Sequence, residues 1–319
     1  MHPPNTSYAK RNKPCTKTDC GTIFSPFAGA SRAIFILKMG ETMKINAKAS
    51  EKIAKIVIWT AAISVLVVLF SIIIYLLYRG IPRINWSFLT EIPRDMGREG
   101  GISSTIVGTV MVAILAVAIA VPFGIGTAFY LAEYTKENMV TRIIRFSAEA
   151  LAGIPSIVYG LFGFIFFVMY MGLGFSVLAG GLTLAVMILP TIIRTSEEAI
   201  RAVPDSYREV SFSLGGTKWQ TIRKAVFPSA IQGISNGVIL GLGRCVAETA
   251  AVMLTAGGVI RMATSIFDPT RTMAVHFFIL ANEGISMENA YGTAALLIIL
   301  IFLINVVANA AVNRFVARR

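Results

Sequence analysis

The sequence predicts an all-α integral membrane protein with six spanning helices and both termini on the cytoplasmic side. Three observations predict it. Hydrophobic residues make up 55% of the 319 and charged residues 14%, a balance suited to lipid rather than water. Continuous apolar stretches near 55–78, 103–131, 147–170, 176–193, 230–256 and 290–313 are each long enough to cross roughly 30 Å of hydrocarbon. With these spans, the loops on one side hold only Arg79, Arg83, Arg94, Arg98, Arg261 and Arg271, Arg244 lies inside a span, and every other Lys and Arg falls on the opposite side. That basic side is cytoplasmic by the positive-inside rule. The net charge of +12 therefore reflects topology. Nucleic acid is not an expected partner, because the basic residues flank spans and form no separate patch.

Taken in order, residues 1–42 mix Pro, Thr, Lys and Gly with one apolar patch, "AIFILKMG", too short to span. They read as a disordered tail or an over-long gene start, and residues 43–319 as the transmembrane domain. "MKINAKASEKIAKIVIW" from Met43 is a natural basic start to a first membrane helix. No small-residue cleavage site marks a signal peptide. Cys15, Cys20 and Cys245 support neither a disulfide framework nor a metal site. Trp86 and Phe88 give the 79–102 loop the character of an interfacial segment. Pro122 and Pro155 read as kinks or helix-entry points, Glu149 as interfacial, and His276 as a packed residue without metal-ligating neighbours in sequence. Asp268, Glu283 and Glu288 mark a solvated outer loop.

The cytoplasmic loop at 194–229 differs in kind: it is too polar for lipid yet rich in helix formers. Asp205 is expected to cap a short helix from Ser206 to Leu214, which Gly215-Gly216 would end in the left-handed conformation. Tyr207, Val210, Ser211 and Leu214 would then share one face. Lys218 to Val226 makes a second short helix, and Pro228 marks the return to the membrane. Physically, such a hairpin could lie on the lipid surface with its cations at anionic headgroups.

Glu209-Val210-Ser211, Gly215 and Ala225-Val-Phe-Pro228 resemble the loop signature of binding-protein-dependent ABC importer permeases, which begins Glu-Ala-Ala and ends Ile-x-Leu-Pro. Val210 and Ser211 replace the two alanines, and Ala225 and Phe227 the apolar pair. The resemblance implies the type I ABC importer permease fold, with a coupling helix docked on a separate ATPase. Glu209 would meet that ATPase, Gly215 would permit the turn, and Pro228 would restart the fifth span. No G-x-x-x-x-G-K-[ST] occurs in the chain, so ATP and Mg belong to the partner and no cofactor is expected on this chain. "AGIPSIVYGLFGF" from Ala152, "PTIIRTSEEAIRAVP" from Pro190, "GLGRCVAETAAVMLTAG" from Gly241 and "TMAVHFFILANEGISMENAYGTAALLIIL" from Thr272 are similar to phosphate permeases, and to their A-type more than their C-type subunit. The partners this implies are a second permease subunit of the C type, an ATP-binding subunit dimer, an extracytoplasmic phosphate-binding protein and membrane lipid. The chain would be a transport subunit rather than an enzyme, sited in the cytoplasmic membrane.

The fifth span carries the chemistry. Gly233, Gly237, Gly241, Cys245 and Thr249 recur every four residues, a small-residue stripe that lets another helix approach closely. Arg244 and Glu248 lie one residue round from it, at about mid-membrane, where each costs roughly 2.5–3.5 kcal/mol on insertion scales. Four apart on a continuous helix, they could reach each other. They form either an internal pair at a packed seam or a site on a water-filled pathway, Arg244 meeting a passing anion and Glu248 holding Arg244 in place when the pathway is empty. A seam is made as well by apolar residues, which favours the pathway. Arg's planar fork suits two phosphate oxygens, with further donors from Thr249, Thr255 or a partner. A membrane-embedded enzyme would need a nucleophile, acid and base at one depth, and a channel would not need the ATPase-docking loop. A permease for sulfate, molybdate or another oxyanion is the nearest alternative.

Overall fold

In the computed structural model the described residues are 47–317, with side chains for 50–314. The tail expected at 1–42, with Cys15 and Cys20, lies outside them. The described residues fall into two units, one ending at Val68 and the other beginning at Leu69. Every described element is helical. Among the described residues five helices are long and apolar enough to cross a membrane, Ser50–Arg83, Ser103–Tyr134, Val177–Arg201, Lys218–Ala247 and Met287–Arg314, and the bent pair Met139–Ala152 and Ser156–Tyr170 makes a sixth when it is counted as one span.

Helix α1 (Ala47–Gly80) is apolar all round. Within the first unit its side chains from Ser50 to Val68 are exposed on every side, as lipid-facing residues are. Its hydroxyls bond back into the helix, Thr60 Oγ1 donating to Ile56 O at 2.7 Å and Ser64 Oγ to Ala61 O at 2.8 Å, which removes polar groups that hydrocarbon cannot satisfy.

In the second unit the outer end of α1 meets the last helix. A Cβ on Gly80 would strike Tyr291 O and Ala295 Cβ, and Tyr75 stacks edge-on against Tyr291 with centroids 5.9 Å apart. The short helix α2 (Trp86–Thr90) buries Phe88. Helix α3 (Ser103–Phe129) continues into a π turn at Tyr130–Tyr134. Its buried face is built of Ala116, Ala120, Gly124 and Ala128 at four-residue spacing, and a Cβ on Gly124 would come within 2.7 Å of Ile192.

Ile192 belongs to α6 (Val177–Arg201), the helix at the centre of this unit, with Val177, Leu184, Met187, Ile188, Ile192 and Ile200 all buried. Its first turn is received by the outer loop: Val177 N donates to Asp268 O at 2.9 Å, Leu178 N to Ile266 O at 2.8 Å, and Ser176 Oγ accepts from Ala179 N. The four orphan N–H groups of a helix start are thus largely satisfied where water is scarce. The same outer region holds Arg271 and His276, both buried, with Arg271 Nε donating to Gly258 O at 2.7 Å.

The third apolar run is not the straight span that its hydropathy suggests. Helices α4 (Met139–Ala152) and α5 (Ser156–Gly163, extended by a π turn to Tyr170) meet at 101°. Pro155 forces the break, since it disfavours helical backbone at Ile154 and starts α5 itself. The Tyr159 hydroxyl donates to Leu151 O at 2.8 Å and braces the corner. Helix α4 is tied to the cytoplasmic end of α6 by Arg145 Nε on Glu197 at 2.8 Å and by Arg194 on Glu149 at 2.9 Å. Residues 156–170 make about 22 Å of helix, less than the roughly 30 Å of hydrocarbon that a straight span covers. Glu149 sits at the surface, its side chain 55% exposed.

After the cytoplasmic hairpin described below, α9 (Phe227–Ala247) packs antiparallel on α6. Gly233 faces Ala199, Gly237 faces Thr195, and Gly241 faces Ile192 and Ile188. The glycine stripe is therefore filled by a helix of the same chain. Helices α10 (Ala250–Thr255), α11 (Met273–Asn282) and α12 (Met287–Ala317) complete the chain.

A Cβ at Gly237 would overlap the Thr195 hydroxyl, so Gly237→Ala should lower stability by about 1–3 kcal/mol, the usual cost of overpacking. Thr195→Ala in the same chain should recover part of the loss in a thermal melt of the detergent-solubilised protein. Equal melting temperatures for wild type and Gly237→Ala would mean that the two helices are not in this register.

Candidate functional site

Two regions hold the residues singled out from sequence. The first is the cytoplasmic hairpin. Helix α7 spans Asp205–Ser213 and follows Pro204, whose extended backbone turns the chain out of α6. Asp205 does not cap it, contrary to the sequence expectation: it lies in the first turn and accepts from Arg208 Nη1 at 3.1 Å. A carboxylate there suits the helix dipole without a capping bond. The helix ends at Gly215, φ +77°, a conformation that costs other residues about 1–2 kcal/mol. Gly216 is needed for closeness, since its Cβ would fall 2.7 Å from Ser211 O. Helix α8 (Lys218–Thr221) opens with a reciprocal capping box, Thr217 N donating to Gln220 Oε1 at 2.9 Å and Gln220 N to Thr217 Oγ1. The T-x-x-Q spacing signals that box in the sequence.

A π turn at Ile222–Val226 then leads without interruption into α9, with Pro228 in its first turn. The wider turn relieves the clash that proline would make with a carbonyl four residues back. So Pro228 does not restart a helix; it sits in one that already runs from Lys218. Tyr207, Val210 and Leu214 are 51%, 60% and 84% exposed. With Ser211, Gly215, Gln220 and Ala225 they line a groove of about 630 Å³. Glu209 is exposed, and among the described residues its carboxylate has no ion-pair partner. Ser211 Oγ shares a hydrogen bond with Thr221 Oγ1 at 2.7 Å, closing the hairpin.

The second region is the break above α9. The fifth span is not one helix over 230–256. It stops at Ala247, Glu248 is extended (φ −74°, ψ 131°), and α10 begins after Thr249. Glu248 Oε1 instead accepts from Ala251 N at 3.4 Å, capping the new helix. That use of the carboxylate, and the turn of the backbone, remove it from the helical position in which Arg244 could reach it. Arg244 and Glu248 form no ion pair. The Arg244 guanidinium is half-buried and, among the described residues, has no hydrogen-bond or ion-pair partner. It lies in the last turn of α9, where a cation complements the helix dipole. Gly241, one turn earlier, faces Ile192 and Ile188 near the middle of α6, so Arg244 stands beside the length of α6 rather than beyond either end. Thr249 is half-buried without a side-chain capping bond. Thr255 is not available as a donor, being fully buried with its hydroxyl given to Ala251 O at 2.6 Å. The nearby Cys245 is buried.

Sequence reasoning missed the ion pairs that join these regions to the bundle. Arg208, counted only as a topological charge, bonds Glu133 at the end of α3 at 2.7 Å. Glu197 receives both Arg145 and Arg201. Arg208–Glu133 and Arg145–Glu197 lie 75 and 52 residues apart and have no spacing signature, whereas Arg201–Glu197 is an i, i+4 pair on α6 that the sequence spacing does mark.

The bundle of apolar helices with an inner broken helix and an exposed cytoplasmic hairpin has the fold of type I ABC importer permeases. The chain belongs to the binding-protein-dependent transport system inner membrane components, whose family model matches residues 120–319. It is 31% identical over 280 residues to the "Probable ABC transporter permease protein YqgI" of Bacillus subtilis, covering 83% of this chain and 95% of that one. It is 38% identical over 225 residues to the "Phosphate transport system permease protein PstA 1" of Mycobacterium tuberculosis (strain ATCC 25618 / H37Rv), covering 69% and 71%. In fold it resembles a bacterial alginate ABC transporter solved with an alginate pentasaccharide-bound periplasmic protein, at TM-score 0.61 and 14% identity over 83% of this chain and 95% of that chain. The MetNI methionine ABC transporter in inward-facing form is similar at TM-score 0.52 and 22% identity, over 68% and 94%. The protein is thus a multi-pass protein of the cytoplasmic membrane.

Gly215 has open space where a Cβ would go, so only its backbone is at stake. Gly215→Val should loosen the hairpin, and Gly215→Asn, which tolerates positive φ, should do so less. Limited proteolysis at 202–227 reads the difference. Equal cleavage of the two variants would remove the assignment of the turn.

Proposed function

We propose that this chain is the A-type permease subunit of an ATP-driven importer of inorganic phosphate. A second, C-type permease subunit completes the membrane pathway, an ATP-binding subunit dimer hydrolyses ATP with Mg on the cytoplasmic side, and an extracytoplasmic phosphate-binding protein delivers the ion. This chain binds no cofactor of its own. The observation that carries the reading is Arg244: a guanidinium beside the length of α6, with no acid against it, at a break in the helix. An unpaired charge within a span is costly, and irregular backbone there is tolerated only inside protein or along a water-filled cavity.

Arg244 offers a passing oxyanion two parallel N–H donors, and Thr249 a hydroxyl. Glu248, turned to the start of α10, leaves the cation free and keeps an anion from binding too tightly. Weak affinity suits a pathway, since an ion that must leave cannot be held firmly. Gly233, Gly237 and Gly241 fix α9 on α6, so that Arg244 moves with the bundle. At the other end of α9 the exposed Tyr207, Val210 and Leu214, with Glu209 and Ser211, form the face offered to the ATPase, shaped by Gly215 and Pro228. The relatives named as phosphate transport permeases support phosphate as the substrate.

Arg244→Gln keeps donors and much of the volume but removes the charge. In vesicles rebuilt with the partner subunits, phosphate uptake should fall about tenfold or more, as the loss of a charge-assisted hydrogen bond of about 1.5–3 kcal/mol implies, while the ATPase still copurifies. Excess sulfate or molybdate should leave wild-type uptake unchanged. Normal uptake by Arg244→Gln would make Arg244 a structural residue of the helix end, and inhibition by sulfate would transfer the reading to another oxyanion.

A further inference from the structure

We propose that Arg208 and Glu133 form the joint through which the cytoplasmic hairpin moves the bundle, Arg208 acting as a positioning residue that touches neither the ion nor the ATPase; the proposal rests on the transport reading above. All the N–H donors of Arg208 are engaged. Nε and Nη2 donate to Glu133 Oε1 at 3.0 and 2.7 Å, Nη2 also to Ile200 O at 3.0 Å, and Nη1 to Val203 O at 2.7 Å and Asp205 Oδ1 at 3.1 Å. An arginine has five such donors and no acceptor, so one side chain on α7 holds the end of α3, the Ile200 carbonyl in the last turn of α6 and the Val203 carbonyl just beyond it at once. The pair is sheltered, Arg208 being 17% and Glu133 9% exposed, and it is turned away from the exposed face formed by Tyr207, Val210 and Leu214.

The other limb of the hairpin reaches the same point. Lys218 Nζ lies 4.9 Å above the ring of Tyr134, next to Glu133, and Ser211 with Thr221 locks the two limbs together. Glu133 stands in the π turn that ends α3, a local irregularity of the kind that concentrates at functional positions. A push on α7 is therefore delivered to α3 and α6 through one screened ion pair, and to α9 through the hairpin's second limb. An exposed surface pair would contribute little; a sheltered one with every donor used has discrete made and broken states, as coupling requires.

The test uses the complete complex in vesicles, as wild type, Glu133→Gln and Arg208→Lys, the last keeping the charge but losing the fork. Spin labels on Tyr130→Cys and Ser213→Cys, with Cys15, Cys20 and Cys245 replaced, report the distance between the end of α3 and α7. In wild type this distance should be the same in nucleotide-free and ATP-bound states, because the two elements move as one. In Glu133→Gln it should change with nucleotide, and phosphate uptake per ATP hydrolysed should fall severalfold, while the ATPase copurifies as in wild type. Arg208→Lys should fall between the two. Unchanged distance and unchanged uptake per ATP in an assembled Glu133→Gln complex would overturn the proposal, as would loss of the ATPase from both variants, which marks a purely structural pair. If wild type takes up no phosphate, the substrate reading fails, and the distance measurement still decides the joint.

Discussion

Backbone that leaves the helix inside hydrocarbon must be wrapped in protein, and the arrangement of this chain follows from meeting that demand around α6. The break at Glu248 and Thr249 and the start of α6 at Ser176 are both non-helical stretches in the second unit. Each is covered by close contacts of small residues: Gly160 lies against Ala251, and Gly180 against Ala256. Ser176 N donates to Thr255 O at 3.2 Å, so the end of α10 and the start of α6 satisfy each other. The glycine stripe of α9 serves the same end, bringing α9 close enough to α6 that the break above it is held in place. Lipid tails are as apolar as the side chains, so such packing, rather than water's exclusion, is what holds helices together here.

The same constraint explains why a charge stands at the break. A continuous helix would have let Glu248 neutralise Arg244 and would have left a closed seam. Turning the backbone at Glu248 spends its carboxylate on the Ala251 amide, and the guanidinium is left with its donors directed at whatever fills the adjoining space. On the transport reading that space is the pathway, and helix α9 joins it to the hairpin some twenty residues away. A stiff helix packed on α6 along three glycines transmits displacement with little loss, since packed elements shift as units rather than deforming.

What the sequence disclosed follows the range over which each signal acts. Span positions were legible because each depends on about twenty neighbouring residues, and the left-handed glycine at 215 because only glycine is at ease there. The right-angled bend before Pro155 was legible as a proline and not as an angle, because hydropathy averages over α4 and α5 alike. The break at 248 was hidden for a sharper reason: "VAETAAV" contains neither Gly nor Pro, and only Thr249, a residue common at helix starts, hints that a new helix begins. Asp205 looked like a cap because Asp usually is one, but the preceding Pro204 already sets the turn, and Arg208 takes the carboxylate. The Arg208 and Glu133 pair, 75 residues apart, belongs to tertiary structure alone.

The central claim is that the break beside Arg244 borders water rather than lipid or a dry seam, and cysteine accessibility at Thr249 tests it most directly. In the assembled transporter, with Cys15, Cys20 and Cys245 replaced, Thr249→Cys should react with a small membrane-impermeant thiol reagent, and millimolar phosphate should slow that reaction. A Thr249→Cys that stays unreactive in every nucleotide state, while an exposed control such as Ser213→Cys reacts fully, would contradict the account.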